Sequence, residues 1–361
     1  MNKDQVQLIV EPDEGVAPVI HAIDSAQQTL EILIFRFDRR DIESALVRAV
    51  GRGVRIRALI AHTSKGGEKS LRSLEMRLLK AGVTVCRTAS NLIRYHGKML
   101  IIDRKELYVL GFNFTYLDID RSRSFGIVTQ DKKLVEEAWK LFDADATRQE
   151  YTPGHERLLV SPLNARASLI EFIKGATKEL EIYDPNISDK AILRVLEERA
   201  KAGVAIRAIG HSSRLAARAL LDPRLHIRLI VRDGASFFLG SQSLRASELD
   251  RRREVGVIID DAKIAATLKD FFEKDWKASE PVPGFTETPV SATKIAKRVA
   301  KAVTKELPPL EPVFDAVLKD AAVPDLDHLP DWNELQSTVE DAVKQAVKEA
   351  VLEVVERPGT T

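Results

Sequence analysis

Apolar residues between positions 6 and 280 fall into two alternating kinds of run. Some are short and apolar throughout, the pattern of buried strands. Others repeat apolar positions three and four apart, the pattern of amphipathic helices. The order predicted is a strand in "LIVEP" (8–12), a helix in "GVAPVIHAIDSA", a strand in "TLEILIFRF", a helix in "DIESALVRAVGRG" and a strand in "VRIRALIA". Strands alternating with helices predict an α/β fold with a mainly parallel sheet flanked by helices. Ligands on such sheets sit beyond the carboxyl ends of the strands.

The pattern then occurs a second time. "LIVEP" matches "LLVSP" (158–162), "LEI" at 30–32 matches "LEI" at 180–182, and Gly53, Val54, Ile56, Arg57 and Ala58 match Gly203, Val204, Ile206, Arg207 and Ala208. The offset is 150 each time. After the third strand the first copy carries the longer insertion "HTSKGGEKSLRSLEMRLLKAGVTVCRTASNLIRY", against "HSSRLAARALLDPRL" in the second. The register resumes at an offset of 130: His96 with His226, Asp103 with Asp233, Arg123 with Arg253, Gly126 with Gly256. Internal repetition in one register predicts two pseudo-symmetric repeats of one fold. The expected boundaries are 1–150 and 151–280 for the repeats, 281–292 for a Pro-rich linker, and 293–361 for a helical C-terminal extension.

Composition changes this picture little. Among 361 residues, Lys plus Arg number 55 and Asp plus Glu 54, so the net charge of +1 exerts no global pull on nucleic acid or anionic membrane. The single cysteine, Cys86, excludes an internal disulfide and a Cys-rich metal site. No leader-like segment and no run near the ~20 apolar residues of a membrane span is read, so the expectation is a cytoplasmic protein, with peripheral contact at the inner membrane as an option.

The chemistry lies in "HGKMLIID" (96–103) and its copy "HIRLIVRD" (226–233). Residues i and i+2 of a strand share a face, so His96 projects with Lys98, and His226 with Arg228. Asp103 and Asp233 begin turns, where an Asp side chain accepts backbone N–H groups; they are expected to be structural, near the site. The return strands "LYVL" and "SFFL" bring Asn113, and Ser241 with Ser243, back toward the paired side chains. Two histidines with two cations suit a phosphodiester. The cations, Asn113 and Ser243 hold its oxygens, one histidine attacks phosphorus, and the other serves the leaving and entering oxygens. No metal and no cofactor is called for. His62 and His211 follow strands at nearly equivalent places; loop residues or cleft lining are both open to them.

His96-x-Lys98-x4-Asp103 followed by Gly111-Phe-Asn113 resembles the phospholipase D superfamily signature. His226-x-Arg228-x4-Asp233-x6-Gly240-Ser241-x-Ser243 followed by "RREVGVIID" resembles it too, and the resemblance spans residues 6 to about 278. It implies cleavage or transfer of phosphodiesters through a phosphohistidine, with His96 as nucleophile and His226 as acid and base. It also implies a glutamate that orients a catalytic histidine. Glu254 fills that place in the second copy, which argues for the reverse assignment, and Ser124 stands there in the first. Leu110-Gly111 replaces the usual Gly-Ser, Arg228 a lysine and Ser243 an asparagine, and a guanidinium fork is not equivalent to an ammonium.

The reading this favours is a phospholipase D or phosphatidyltransferase of cardiolipin-synthase-like type acting on phospholipid. The alternatives are a nuclease of the same superfamily, less favoured because aromatics make up only 6%, and a catalytically silent scaffold. Apolar cleft walls would favour lipid, a basic groove nucleic acid, a filled cleft silence. In the tail, "TKIAKRVAKAVTKE" (293–306) is a basic amphipathic helix suited to an anionic membrane surface. "DWNELQSTVEDAVKQAVKEAVLEVVE" (331–356) is a longer helix with a narrow seam of small residues. The C-terminal helices suit packing on the body, or pairing two subunits in a homo-oligomer.

Overall fold

The computed structural model describes residues 6–60, 68–212 and 214–282. The linker and C-terminal helices expected from the sequence, and His62, lie outside the described residues. The first repeat contains strands β1 (Gln7–Glu11), β2 (Thr29–Leu33), β3 (Arg55–Ile60), β4 (Thr84–Arg87), β5 (Arg94–Tyr95), β6 (Met99–Ile102), β7 (Glu106–Leu110) and β8 (Ser122–Thr129). Its helices are α1 (Ala17–Ser25), α2 (Arg40–Gly51), α3 (Glu68–Lys80), α4 (Tyr116–Asp120) and α5 (Lys132–Thr147). The second repeat contains β9 (Leu158–Val160), β10 (Glu179–Ile187), β11 (Ala205–Ser212), β12 (Arg218–Ala219), β13 (Arg224–Leu225), β14 (Arg228–Arg232), β15 (Ser236–Gly240), β16 (Arg252–Arg253), β17 (Val255–Ile259) and β18 (Glu280–Pro281). Its helices are α6 (Ala165–Lys174), α7 (Lys190–Lys201), α8 (Ala246–Asp250) and α9 (Ala262–Ala278).

The first sheet runs β1-β8-β7-β6-β2-β3-β4 and the second β9-β17-β15-β14-β10-β11-β12-β18. The two orders correspond strand for strand, with β18 added at one edge. This is the pseudo-symmetric α/β architecture expected from the repeated pattern. The sheets are mixed, however. Along these orders only β2, β3 and β4 in the first sheet, and β10, β11 and β12 in the second, are mutually parallel. The hairpins β6–β7 and β14–β15, with their outer neighbours, run antiparallel. The expected parallel character fails there because the short turns after Asp103 and Asp233 leave no room for a crossover.

Helices cover the outer face of each sheet, and the inner faces share one core. Val19, Ile32, Leu46, Ile56 and Leu74 belong to the outer layer of the first repeat, and Leu169, Ile182, Leu196 and Ile230 to that of the second. Between the sheets, Ile101, Val109 and Phe142 pack in one cluster with Leu229, Phe237 and Phe272. The repeats therefore form one compact unit within residues 1–284. The central helices α5 and α9 begin at Asp131 and Asp261, whose side chains cap them by accepting from Lys133 and Leu134, and from Lys263 and Ile264.

Reciprocal contacts tie the repeats together. Arg123 bonds Asp275 at 2.9 Å, and its counterpart Arg253 meets Asp145 at 3.1 Å. β13 pairs with β8 beside His226, and β5 pairs with β16 beside His96. Each histidine is thus held against a strand of the partner repeat: His96 N–H donates to Arg253 O at 2.7 Å, and His226 N–H to Arg123 O at 3.1 Å.

Asp103 and Asp233 lie at the far ends of β6 and β14 from the histidines, so their expected place near the site is corrected. Asp103 accepts the N–H groups of Gln27, Gln28 and Thr29, and Asp233 those of Thr177, Lys178 and Glu179. Both take a left-handed backbone, φ 51° and 54°, in the hairpin turn. They fasten the hairpin to the start of the neighbouring strand, and the turn positions that made them look structural do so without touching the site.

Candidate active site

His96 is almost fully enclosed, at 7% exposure, and its Nδ1 lies 2.9 Å from Glu254 Oε2. The carboxylate comes from the other repeat, placed by the β5–β16 pairing. That removes the sequence-based argument for His226 as nucleophile: Glu254 is adjacent to the second motif in sequence but serves the first histidine in space. Lys98 Nζ lies 3.3 Å from both ring nitrogens of His96 and donates to His96 O at 2.8 Å. Arg228 repeats that anchor, donating from Nη1 to His226 O at 3.0 Å and from Nε to Ser243 Oγ at 3.0 Å.

His226 meets a different partner. Its Nε2 stands 3.5 Å from Asp118 Oδ2 on α4, and its buried Nδ1 has no hydrogen-bond partner. Ser124, at the place equivalent to Glu254, is also buried with its Oγ unpartnered. Asn113 reaches the site but spends its amide on positioning. Nδ2 donates to Asp118 at 2.7 Å and Oδ1 accepts from Arg36 N–H at 3.2 Å. Ser241 ties β15 to β17, accepting from Val255 N–H and facing Val255 O. The sequence assigned both residues to the site; in the structure Asn113 bonds Asp118, and Ser241 bonds Val255 and, against the burial that raises it, lowers the Glu254 carboxyl beside it.

The charges identify one shared site. The His96 imidazole is held well below its ordinary value, first by burial and then by the charges of Lys98 and Arg228. His226 is likewise lowered, by burial against the opposing pull of Asp118 and then with the help of Arg228 and Lys98. Each imidazole feels the cation of the other motif. Lys98 is pushed down to about 7 by complete burial, partly offset by Glu254. Burial raises the Glu254 carboxyl. The lowered imidazole is neutral at neutral pH, and the tautomer in which Nδ1–H donates to the Glu254 carboxylate leaves Nε2 unprotonated, 3.3 Å from Lys98 Nζ.

Sequence reading missed a second acidic pair, Asp118 and Glu248. Both are buried beneath the site, on α4 and α8, and obey the same 130 offset that revealed the histidines. Glu248 accepts from Ser243 N–H at 2.6 Å and from Arg252 at 2.8 Å, and it also pairs with Arg245. Despite burial, these partners and Arg228 lower its carboxyl. Among the described residues no three His, Cys, Asp or Glu side chains converge as a metal-binding group. His211 is exposed on β11.

The family model described as "Cardiolipin synthase, PLD-like domain" matches residues 19–146 and 212–276. The chain belongs to this phospholipase D-like family. A phospholipase D from Rickettsia conorii is 26% identical over 137 residues, 38% of this chain and 66% of that protein. The chain thus spans just under two thirds of the rickettsial phospholipases D it matches. The solved polyphosphate kinase of Porphyromonas gingivalis superposes with a TM-score of 0.64 at 18% identity, over 76% of this chain and 47% of that one. Phosphatidylserine synthase of Haemophilus influenzae superposes with a TM-score of 0.63 at 10% identity, over 87% and 94%. At these identities the two structures share the fold.

Proposed function

We propose that the chain cleaves or transfers a phosphodiester through a phosphohistidine on His96, with phospholipid as the substrate class. The observation that carries this reading is the bond from His96 Nδ1 to Glu254. With Nδ1–H donating to that carboxylate, Nε2 is the unprotonated ring nitrogen. Nε2 attacks phosphorus as the bond to the leaving oxygen breaks, and His226, which enters the complex protonated because Asp118 and the anionic diester offset its burial, gives that proton to the leaving oxygen. Neutral His226 then takes a proton from water or an alcohol, whose oxygen attacks phosphorus. The P–N bond breaks and its electrons return to His96. Lys98 and Arg228 hold the non-bridging oxygens, and Asn113 acts through Asp118. All steps use side chains of the site.

Lipid is favoured by the rim. Large apolar side chains are exposed at Ile93 beside Arg94, at Tyr116 and Leu117 beside Asp118, and at Leu221 in the segment leading to Arg224. An apolar rim around a cationic centre fits a charged headgroup presented at a membrane surface. Among the described residues no helix is long and apolar enough to cross a membrane. The relative named phospholipase D supports the same substrate class. A silent scaffold is the second reading, favoured by the unpartnered Nδ1 of His226 opposite Ser124.

The test is acid-quenched mass spectrometry of the purified chain mixed with phosphatidylglycerol or phosphatidylcholine vesicles, in chelator. Turnover with a phosphoryl-linked adduct on the peptide carrying His96, accumulating in His226→Asn and absent in His96→Asn, is expected. No turnover and no adduct with either lipid gives the silent reading. An adduct on His226 reverses the roles.

A further inference from the structure

Beside His96 the ring of Phe35 stands edge-on to the imidazole, with centroids 4.9 Å apart. Two guanidinium groups lie on that ring, Arg94 at 4.8 Å and Arg36 at 5.7 Å from its centroid. Arg94 is half-buried and Arg36 exposed. Neither has a hydrogen-bonding side-chain or ion-pair partner among the described residues, although Arg36 uses its backbone N–H on Asn113.

The pseudo-symmetry makes this unusual. The counterpart of Arg94 is Arg224, which pairs with Asp118 and donates to Ser122 Oγ at 3.1 Å. On the His96 side the counterpart of Asp118 is Glu248, already taken by Arg245 and Arg252. Arg252 itself stands where the other repeat has Ser122. The charges acting on Arg94 are those of Arg252 and Arg36, opposed by Glu254 and Glu248, so three guanidinium groups share two carboxylates there. The Arg94 guanidinium is lowered by burial and then by the charges of Arg252 and Arg36. A fold that neutralises one position and leaves its twin in excess positive charge has room for an anion supplied from outside.

We propose that Arg94 and Arg36, both against the ring of Phe35, form a second phosphate subsite beside His96. It rests on the reading above for the scissile diester, and it narrows the substrate to one carrying a further phosphate a short linker away. The planar forks of arginine match a phosphate in two-point contact better than an ammonium does. One aromatic ring separates this subsite from the attacking imidazole. A glycerol-linked pair of lipid phosphates and a short phosphoanhydride chain share that chemistry.

Calorimetric titration of the full chain with orthophosphate, pyrophosphate, tripolyphosphate and a twelve-residue oligothymidylate tests it. One of the two short polyanions is expected to bind about tenfold or more tighter than orthophosphate, the scale of one charge-assisted contact. Arg36→Gln and Arg94→Gln should each remove most of that preference. Arg55→Gln, exposed at the opposite end of the sheet, should keep it. Arg36 is exposed, so its variant keeps the readout if Arg94→Gln does not fold.

Equal affinity for the three phosphates overturns the subsite even if diesters are turned over. A preference lost in the variants, without turnover of any diester, keeps the subsite and overturns the reaction. Much tighter binding of the oligonucleotide replaces a two-phosphate site by a continuous groove and overturns the proposal. Where turnover is seen, a larger loss in Arg94→Gln on cardiolipin than on phosphatidylglycerol vesicles assigns the second phosphate to lipid. Equal losses on the two lipids, with the tripolyphosphate preference intact in the native chain, assign it to a phosphoanhydride.

Discussion

Among the described residues whose charges act on His96, Lys98 is the one lysine, and it is completely buried. Burial brings its ammonium down to about 7, so in the free protein its charge is present below neutrality and lost as pH rises through that value. A phosphate needs the charged form. The profile of kcat/KM reports free-enzyme groups, so it should fall above about pH 7. Its acidic limb should lie below the ordinary histidine value, because burial lowers His96. In Lys98→Arg the maximum should drop, since the fork fits the space differently, while the basic limb moves up by about two units or more. A basic limb that stays put assigns it to another group.

A second residue-scale argument comes from an exchange between strands. Glu11 faces Ser124 across β1 and β8, while in the other repeat Ser161 N–H bonds Glu254 O. The acid and the hydroxyl have swapped strands. Glu11 is 0% exposed, both its carboxylate oxygens lack partners, and burial pushes it up to about 9. Glu11→Ser with Ser124→Glu restores the arrangement of the second repeat and gives His226 Nδ1 a carboxylate. The His226 titration by NMR should then move upward relative to the native chain, and His96 should not move. An unmoved His226 means that position 124 does not reach it. Glu11 also carries a pH signature. An acid raised in the folded state makes stability fall as pH rises from its unfolded value toward about 9. Glu11→Gln should flatten the slope of unfolding free energy across that window.

At the scale of elements, the two hairpin turns separate structure from chemistry. Asp233→Ala removes the acceptor for three backbone N–H groups and leaves a β-carbon at positive φ. A loss of about 1–3 kcal/mol in denaturant midpoint analysis is expected. Turnover per folded molecule should hold, because the turn lies at the far end of β14; a large fall in kcat with intact stability would contradict this placement. The same elements show what the sequence made legible. Helices α1 and α2, strands β3, β7 and β15 and both motifs follow from local periodicity and repeat register. The run "TLEILIFRF" ends as a strand at Leu33, four residues before its apolar pattern does. Phe35 and Arg36 leave the sheet to meet His96 and Asn113, a tertiary demand that periodicity cannot express. Likewise the bond between His96 and Glu254 joins residues 158 apart. Motif proximity assigned Glu254 to the wrong histidine because the crossing of β5 onto β16 is a property of the assembled pair. Asp118 and Glu248 were within reach of the repeat register, but short polar helices carry no periodic signal of their own.

For the whole molecule, the question is whether two repeats that look separable in sequence are separable in stability. The core between the sheets draws on both, and the Arg123–Asp275 and Arg253–Asp145 pairs cross it in both directions. Both members of each pair are buried. Removing one partner leaves an uncompensated charge inside, so Arg253→Ala should cost about 3–5 kcal/mol. Nature supplies a probe in each half: Trp139 on α5 and Trp276 on α9. In Trp332→Phe backgrounds that keep one of these two, urea unfolding followed by fluorescence should give coincident midpoints, the mark of one cooperative unit. Arg253→Ala should lower both midpoints equally, although it sits in the second repeat and its partner Asp145 in the first. Separate midpoints, or a shift seen only by Trp276, would mean that the repeats fold as independent domains. The shared site, built from a histidine of one repeat and a carboxylate of the other, would then be able to come apart without either repeat unfolding.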